Sequence, residues 1–412
     1  MASSNTLLTP TVIAQEALMM VENSLVMGKL VHRQYKNEFK KKGTSINIRK
    51  PVKFAATASA TRSNTDVVEY NESMTVATQQ HVSWAFSSAE LTMTIEEYSK
   101  RYIAPAASEL ANTVDYALTG LYAQIPQVSG TWGTNPNAFS NLGDAQVLLD
   151  NAAVPSSGRV AVLNPSANWS MADALKGTFA QRPANDIHTK GYLGTVANLD
   201  IHGDQNIRRH TTGTHTTSST PLVDDDPGTN IVEGSYQIQS DGWAVSTAVL
   251  TAGDVFTVGS GASAVNSVNP KSRQSTGVLK QFVSLNAETS DSAGNVTIDV
   301  MTSTSEGMRS SGAYTNVSQL PPNDATINMA GTEATAYAQN LIFHPNAFAL
   351  VVMPMAMPAN VWGARITDKQ MGLSIRVVKD YSIGDDEEII RLDIMYGTAC
   401  LYPEFGARLV GA

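Results

Sequence analysis

Hydrophobic positions along this chain recur at two spacings, and the spacing changes from one segment to the next. Between Ile95 and Ile125, the residues Ile103, Ala106, Leu110, Val114, Leu118, Leu121 and Ile125 follow one another at steps of three and four. That period puts them on one stripe of an α-helix. Glu109, Asn112, Asp115 and Thr119 fall on the opposite side, so the pattern predicts one packed face and one wet face. Pro105 lacks a backbone donor and has a fixed φ, which suits a first turn, and the helix is expected from about Pro105 to Ile125. A second helical stripe, Val12, Leu18, Val21, Leu25 and Leu30, predicts an arm helix capped by Thr11 and running to about Val31.

The strand period of two appears elsewhere. Ile46, Ile48, Val52 and Phe54 alternate with polar residues, as do Val82, Trp84 and Phe86, and then Leu91, Met93 and Ile95. Between these runs, Ala55 to Ser73 holds few core formers. Residues 46–94 therefore read as a long two-stranded excursion, which is marginal alone and is expected to dock on a neighbouring copy. A short helix over Ala138 to Asp150, a buried strand Arg159 to Leu163 and a helix Met171 to Leu175 capped by Ser166 follow, with strand character over 191–201.

Residues 204–230 are polar and turn-rich, which predicts a linker. From Tyr236 to Val300 short strands alternate with turns at Ala252-Gly253, Gly259 to Ala262 and Ala293-Gly294, the pattern of a small β barrel or sandwich. Ser303 to Thr335 reads as a second loose stretch. Residues 338–412 return to strands, with Ile390, Leu392, Ile394 and Tyr396 on one face. The order is that of an α+β fold interrupted by an inserted all-β unit.

Composition narrows the function. The 412 residues suffice for two or more domains, and only 16% are charged against 42% hydrophobic, so much of the surface is neutral and polar. A net charge of −9 disfavours a dedicated nucleic-acid binder. The single cysteine, Cys400, excludes an intrachain disulfide and a cysteine metal cluster. MASSNTLLTP lacks the basic start and apolar core of a signal peptide, and Pro354 and Pro358 break the apolar run Phe348 to Met357, so a soluble protein with no membrane span is expected.

Catalytic motifs are missing from the reading. GSGAS at 259–263 lacks the Lys-Ser/Thr and helix of a phosphate loop, and neither GxSxG nor His-Glu-x-x-His occurs. His202, His210 and His215 read as solvated loop histidines rather than metal ligands. Asp224, Asp225 and Asp226 have the spacing of a turn, not of a calcium loop. Asp385, Asp386, Glu387 and Glu388 read as a solvated turn. No enzyme, no cofactor and no metal site is expected. The basic cluster Lys36, Lys40, Lys41 and Lys42 reads either as a solvated helix end, with cations at the negative dipole terminus, or as an arm that meets a polyanion or an acidic neighbour.

YSKRYIAPAASELANTVDYAL, a helix after a long β excursion, resembles the spine helix of tailed-bacteriophage major capsid proteins with the Hong Kong 97-type (HK97-type) fold. The inserted unit, WAVSTAVLTAGDVFTV and then VLKQFVSL…GNVTIDV, is similar to the extra domain of coat proteins of the Salmonella short-tailed-phage type, and NLIFHPNAFALVVMPM…RLDIMYGTACLYPE resembles the end of that family. The resemblance implies an N-terminal arm (1–45), an extended loop lying on a neighbouring subunit (46–94), a peripheral domain (95–137 and 376–412), an axial domain (138–221 and 338–375) and an inserted β-barrel domain (222–337). Arg49, Lys50, Lys53 and Arg62 then become candidates for intersubunit contact. The Lys36, Lys40, Lys41 and Lys42 cluster becomes a candidate for facing DNA or a subunit. The implied function is a coat protein forming pentamers and hexamers of an icosahedral shell around double-stranded DNA, without a covalent crosslink that these residues would specify. A scaffolding protein, a portal and weak contacts to packaged DNA are the implied partners, and a decoration protein is left open. A β-rich surface or adhesion protein binding proteins or glycans is the other reading, and it requires a secretion signal. An enzyme with a dispersed site is a third.

Overall fold

A computed structural model describes residues 10–35, 45–56, 58–62, 64, 67–87, 102–175, 193–215, 220–225, 231–358, 361–367 and 373–412. By contacts the chain divides into two units, Met1–Ile46 with Ser73–Leu118 and Phe348–Ala399, and Asn47–Glu72 with Thr119–Ala347 and Cys400–Ala412. Lys36, Lys40, Lys41 and Lys42 lie outside the described residues, as do Leu91, Met93 and Ile95.

In the first unit the long strand Glu387–Cys400 is central. Thr78–Ser87 pairs antiparallel along one side of it, and Ser374–Ser382, followed by Trp362–Thr367, along the other, while Phe348–Met353 pairs further along the same strand. Ile390, Leu392, Ile394 and Tyr396 are buried on one face, as their alternation predicts. Trp362–Thr367 has no such signal, because none of its residues is fully buried and the half-covered ones, Gly363, Ala364 and Ile366, do not alternate. Between the strands sits Asp393, fully buried. Burial pushes its carboxyl up, but Arg376 at 2.6 Å, Arg391 at 2.7 Å and Gln79 at 3.2 Å outweigh that and hold it below the usual carboxylate range.

The arm helix, Pro10–Ser24, packs Ile13, Ala14, Ala17, Leu18 and Val21 onto this unit, against Trp362–Thr367 and Ser374–Ser382. It differs from the expectation in two ways. It begins at Pro10, so Thr11 lies inside it, and it stops at Ser24 before a single turn at Met27–Leu30. Val12 is exposed. The break has a cause on the long helix, Ala104–Thr119. That helix buries its stripe Ala106, Leu110, Val114 and Leu118 as expected, but Asp115 and Thr119, predicted wet, are buried too. Asp115 accepts from the backbone N–H of Val26 at 2.6 Å and of Gly28 at 2.8 Å, capping the short turn across 87 residues of sequence. The regular helix ends at Thr119 and tightens into a 3-10 turn, Gly120–Gln124, instead of continuing to Ile125.

The second unit is built on a mixed seven-stranded sheet. Its order is Val128–Ser129, Gly406–Val410, Ala336–Phe343, Val160–Leu163, Leu199–Gly203 and Thr195–Val196, with Arg209–Thr211 also pairing to Ala336–Phe343. Two helices, Phe139–Asn151 and Pro165–Leu175, share a core with it through Leu142, Leu149, Leu163, Met171 and Leu409. The second of these begins at Pro165 and is capped not by Ser166 but by Asn164, whose Oδ1 accepts from Ala167 N at 2.7 Å. Asn340 ties the sheet at the same point, accepting from Asn164 N at 2.7 Å and donating to Leu409 O at 3.0 Å.

The inserted segment is all β, but no closed barrel occurs among the described residues. It consists of four small antiparallel sheets of two or three strands. The strands run only two to five residues, too short to close a continuous ladder. The unit closes instead around a hydrophobic cluster, with Phe256 stacked on Phe282 at 5.8 Å among Ile238, Trp243, Val249, Ile298 and Val317. The described parts of the two stretches that read as linkers are packed as well. Of the first, His210, Thr212, His215, Val223 and Asp225 are buried, and of the second, Met308, Tyr314, Val317 and Ile327.

Candidate functional site

Arg49, Lys50, Lys53 and Arg62 stand on the excursion that leaves the strand Ser45–Arg49 and returns at Asn71–Thr75. Three of them find carboxylates of their own chain. Arg49 lies 3.3 Å from Glu69, with both side chains more than half exposed. Lys50 lies 3.5 Å from Glu72 and sets its ammonium 5.7 Å over the Tyr402 ring. Lys53 reaches both oxygens of Glu306 on the inserted segment, at 3.0 and 2.9 Å. Arg62 is exposed, and so are the apolar side chains Phe54, Val67 and Val68. Charge in the sequence points to these cations. Their partners lie up to 253 residues away and leave no local signal.

Below this base a cavity of about 370 Å³ opens, lined by the charged groups of Lys50, Lys53, Glu306, Lys280 and Glu404 among others. Burial pushes the Lys280 ammonium down, and no carboxylate among the described residues lies within ion-pair distance of it. Burial and the Glu404 carboxylate push Glu306 up against the pull of Lys53. Burial acts in the same direction on Glu404, but Lys280, Lys50 and Lys53 together hold that carboxyl down. The Cys400 thiol on the same wall is pushed up by burial, so it stays protonated and unreactive.

A second polar cluster lies where the chain passes between the sheet and the inserted segment. Its hub is Asp254, which is 1% exposed. The carboxylate accepts from Thr251 N at 2.7 Å, from Gly213 N at 3.1 Å and from Thr251 Oγ1 at 3.2 Å, and pairs with His210 Nε2 at 2.8 Å. The other His210 nitrogen meets the Tyr122 hydroxyl at 3.1 Å. With Asp254 ionised, the pairing assigns the His210 proton to Nε2, leaving Nδ1 to accept from tyrosine. Outgoing strand Arg209–Thr211 and incoming residues 332–338 are laced to each other by Thr212 Oγ1, which donates to Thr332 O at 2.6 Å, and by the strand pairing itself. Arg408 is fully buried here, donating to Gly253 O at 2.8 Å with its guanidinium 5.7 Å from the Tyr122 ring. Burial pulls it down to about 10, which leaves it charged at neutral pH. His215 is buried with no hydrogen bond to either ring nitrogen among the described residues, and burial lowers it against the opposing pull of Asp254 and Glu333.

This neck was hidden in the sequence. His210 and His215 look like loop residues there, and only the Asp after the Thr-Ala-Gly turn and a lone Arg in the apolar GARLVGA run mark the other members. Asp225 is buried and accepts from Ile231 N at 3.1 Å, Asp224 is exposed, and Asp226 lies outside the described residues. At the acidic run, Asp385 and Asp386 take the hydroxyls of Ser382 and Tyr381, and Glu388 pairs with Lys379. Both polar clusters are joints, holding segments of chain together. Among the described residues no three His, Cys, Asp or Glu side chains are grouped to hold a metal, and no helix is long and apolar enough to cross a membrane.

The profile of the family described as "P22 coat protein - gene protein 5" matches residues 1–411. No curated protein matches the chain. Among solved structures, the chain is similar to one from Mycobacterium phage Che8, with 13% identity, 93% of this chain and 90% of that one covered, and a TM-score of 0.47. A capsid structure of the cyanophage P-SCSP1u gives 11% identity, coverage of 94% and 88%, and a TM-score of 0.47. A virus-like particle from Pyrococcus furiosus gives 9% identity, coverage of 96% and 97%, and a TM-score of 0.40. These distant likenesses add nothing to what the family profile, spanning all but the last residue, establishes. On that match, and with a mixed α+β fold, the chain belongs to the P22 coat protein family and is a major capsid protein, a structural subunit of a phage head shell.

Proposed function

We propose that the chain assembles as pentamers and hexamers into an icosahedral shell of the Hong Kong 97-type fold, enclosing the double-stranded DNA of a tailed phage. The observation that carries this reading is the family match over residues 1–411. In it, residues 1–45 serve as the arm, 46–94 as the extended loop on a neighbouring subunit, and 222–337 as the inserted domain. Residues 95–137 and 376–412 belong to the peripheral domain, and 138–221 and 338–375 to the axial domain. Exposed Phe54, Val67 and Val68 support the loop assignment, since apolar side chains on a segment with little core of its own are what a second copy covers. Ring contacts repeat around a capsomer, so many weak contacts per subunit add up.

Arg49, Lys50, Lys53 and Arg62 ride on that loop. Lys36, Lys40, Lys41 and Lys42 ride on the arm, where an inward orientation brings them to packaged DNA through weak, salt-dependent contacts. A scaffolding protein and a portal are the partners, assembly takes place in the host cytoplasm, and the chain itself catalyses nothing. Electron microscopy of the purified protein, alone and with a candidate scaffolding protein, tests the reading. Closed shells or capsomer rings support it, and a stable monomer in both conditions overturns it.

A further inference from the structure

We infer that Tyr314, on the inserted segment, is the positioning residue for the extended loop, its hydroxyl pinning both limbs of the loop to the subunit's own insertion. The inference rests on the reading above that residues 46–94 are the loop that docks on a neighbour. The Tyr314 hydroxyl accepts from Lys53 N at 3.2 Å on the outgoing limb and donates to Val68 O at 2.8 Å on the returning limb. A tyrosine that only fills a core needs one partner for its hydroxyl. This one has two, on strands of chain running in opposite directions.

The surrounding contacts keep the pin in place. Tyr70 on the returning limb packs edge-on against the Tyr314 ring, with centroids 5.1 Å apart, and the Lys53 ammonium lies 5.4 Å over the same ring. Arg309 donates to the Tyr70 hydroxyl at 3.0 Å, while its Nε donates to Glu306 O at 3.0 Å. Arg273, also on the insertion, donates to the carbonyl oxygen of Phe54. Buried Asn316 staples the segment that carries the pin, accepting from Arg309 N at 2.9 Å and donating to Gly307 O at 2.6 Å. The base also borders the cavity of about 370 Å³, lined by Lys50, Lys53, Tyr70 and Tyr314 among others. A base that borders a void is not backed there by packing, so polar contacts to the insertion set the direction in which the loop leaves.

Tyr314→Phe in the full chain removes both hydroxyl bonds and keeps the ring. Hydrogen exchange of unassembled subunits is the first readout. We expect exchange about tenfold faster at the Lys53 amide and across residues 50–56 and 67–70, the loss of roughly one hydrogen bond's protection, with the neck at 209–215 and 248–254 unchanged. Unchanged protection in the limbs overturns the inference, and so does an equal loss everywhere, which marks a merely structural tyrosine. Tyr314→Leu, which removes the ring as well, is expected to loosen the same two limbs further, and a loss no larger than that of the phenylalanine variant shows that the ring contributes nothing to the pin. Assembly of the same variants, followed by light scattering and electron microscopy, separates the pin from the docking role. Loosened limbs with slowed assembly support both. Loosened limbs with normal assembly leave the pin standing and remove the loop's part in docking.

Discussion

The neck of the all-β segment and the base of the excursion between Arg49 and Asn71 are both places where a long stretch of chain is tied down, yet they are tied by opposite means. At the neck the acceptor is Asp254, 1% exposed, and it holds His210, Gly213 and Thr251. At the loop base the Lys53 and Glu306 side chains keep 38% and 16% of their surface in solvent, and a cavity lies alongside. A buried donor that loses its acceptor has no water to turn to, so the neck holds or fails as one network. An ion pair reached by water loses little when it opens, so the loop base can give way in parts. One subunit thus has a stiff joint and a soft one.

The largest effect is expected from Asp254→Ala, which strands the His210 and Gly213 donors and the Thr251 amide in a dry site. The expected cost is about 3–5 kcal/mol, measured by denaturant unfolding with exchange of residues 209–215 as the local check. Gly213→Ala attacks the same joint through the backbone. An added Cβ would sit 2.3 Å from Val249 O and 2.9 Å from Leu250 Cα, neither of which can swing aside. A loss of about 3 kcal/mol is expected, and a neutral result would show that the neck yields.

Acidification tests the neck without a mutation. Burial lowers His215 below its ordinary value of 6.5, so the folded neck favours the neutral ring. Its contribution is complete above about 6.5 and is lost as pH falls below that toward the folded value. Neck protection should therefore drop between neutral and mildly acidic pH, and His215→Gln should flatten that dependence. Lys53→Met is expected to cost about 1 kcal/mol, confined to residues 50–56 and 67–70 by hydrogen exchange. Arg49→Ala, whose pair with Glu69 is mostly solvated, should change unfolding by less than about 0.5 kcal/mol.

Periodicity carried much of the fold, because burial repeats where an element repeats. The stripe from Ile103 to Leu118 and the face holding Ile390 to Tyr396 are buried where their spacing puts them. Asp115 shows where that logic stops. A carboxylate beside a helix stripe reads as solvent-facing, and the backbone N–H groups of Val26 and Gly28, brought back from the arm, help to make its burial favourable. Residues 204–215 mislead in the same way, since polar composition describes a linker until Asp254 and Tyr122 satisfy His210. The expectation of a barrel failed because strand content is legible in sequence while closure depends on strand length and register. At the loop base, Lys53 was visible as a charge, but Tyr314, 261 residues away, was visible only as a tyrosine.

The most direct test of the stiff and soft joints is a side-chain-resolution cryo-electron microscopy map of assembled shells, comparing every symmetry-distinct copy of the subunit. We expect the His210–Asp254 bond to stay near 2.8 Å in all of them, while the Lys50–Glu72 and Lys53–Glu306 pairs open in some copies and the loop direction changes with them. A neck that opens in any copy, or a loop base identical in all of them, would contradict the distinction.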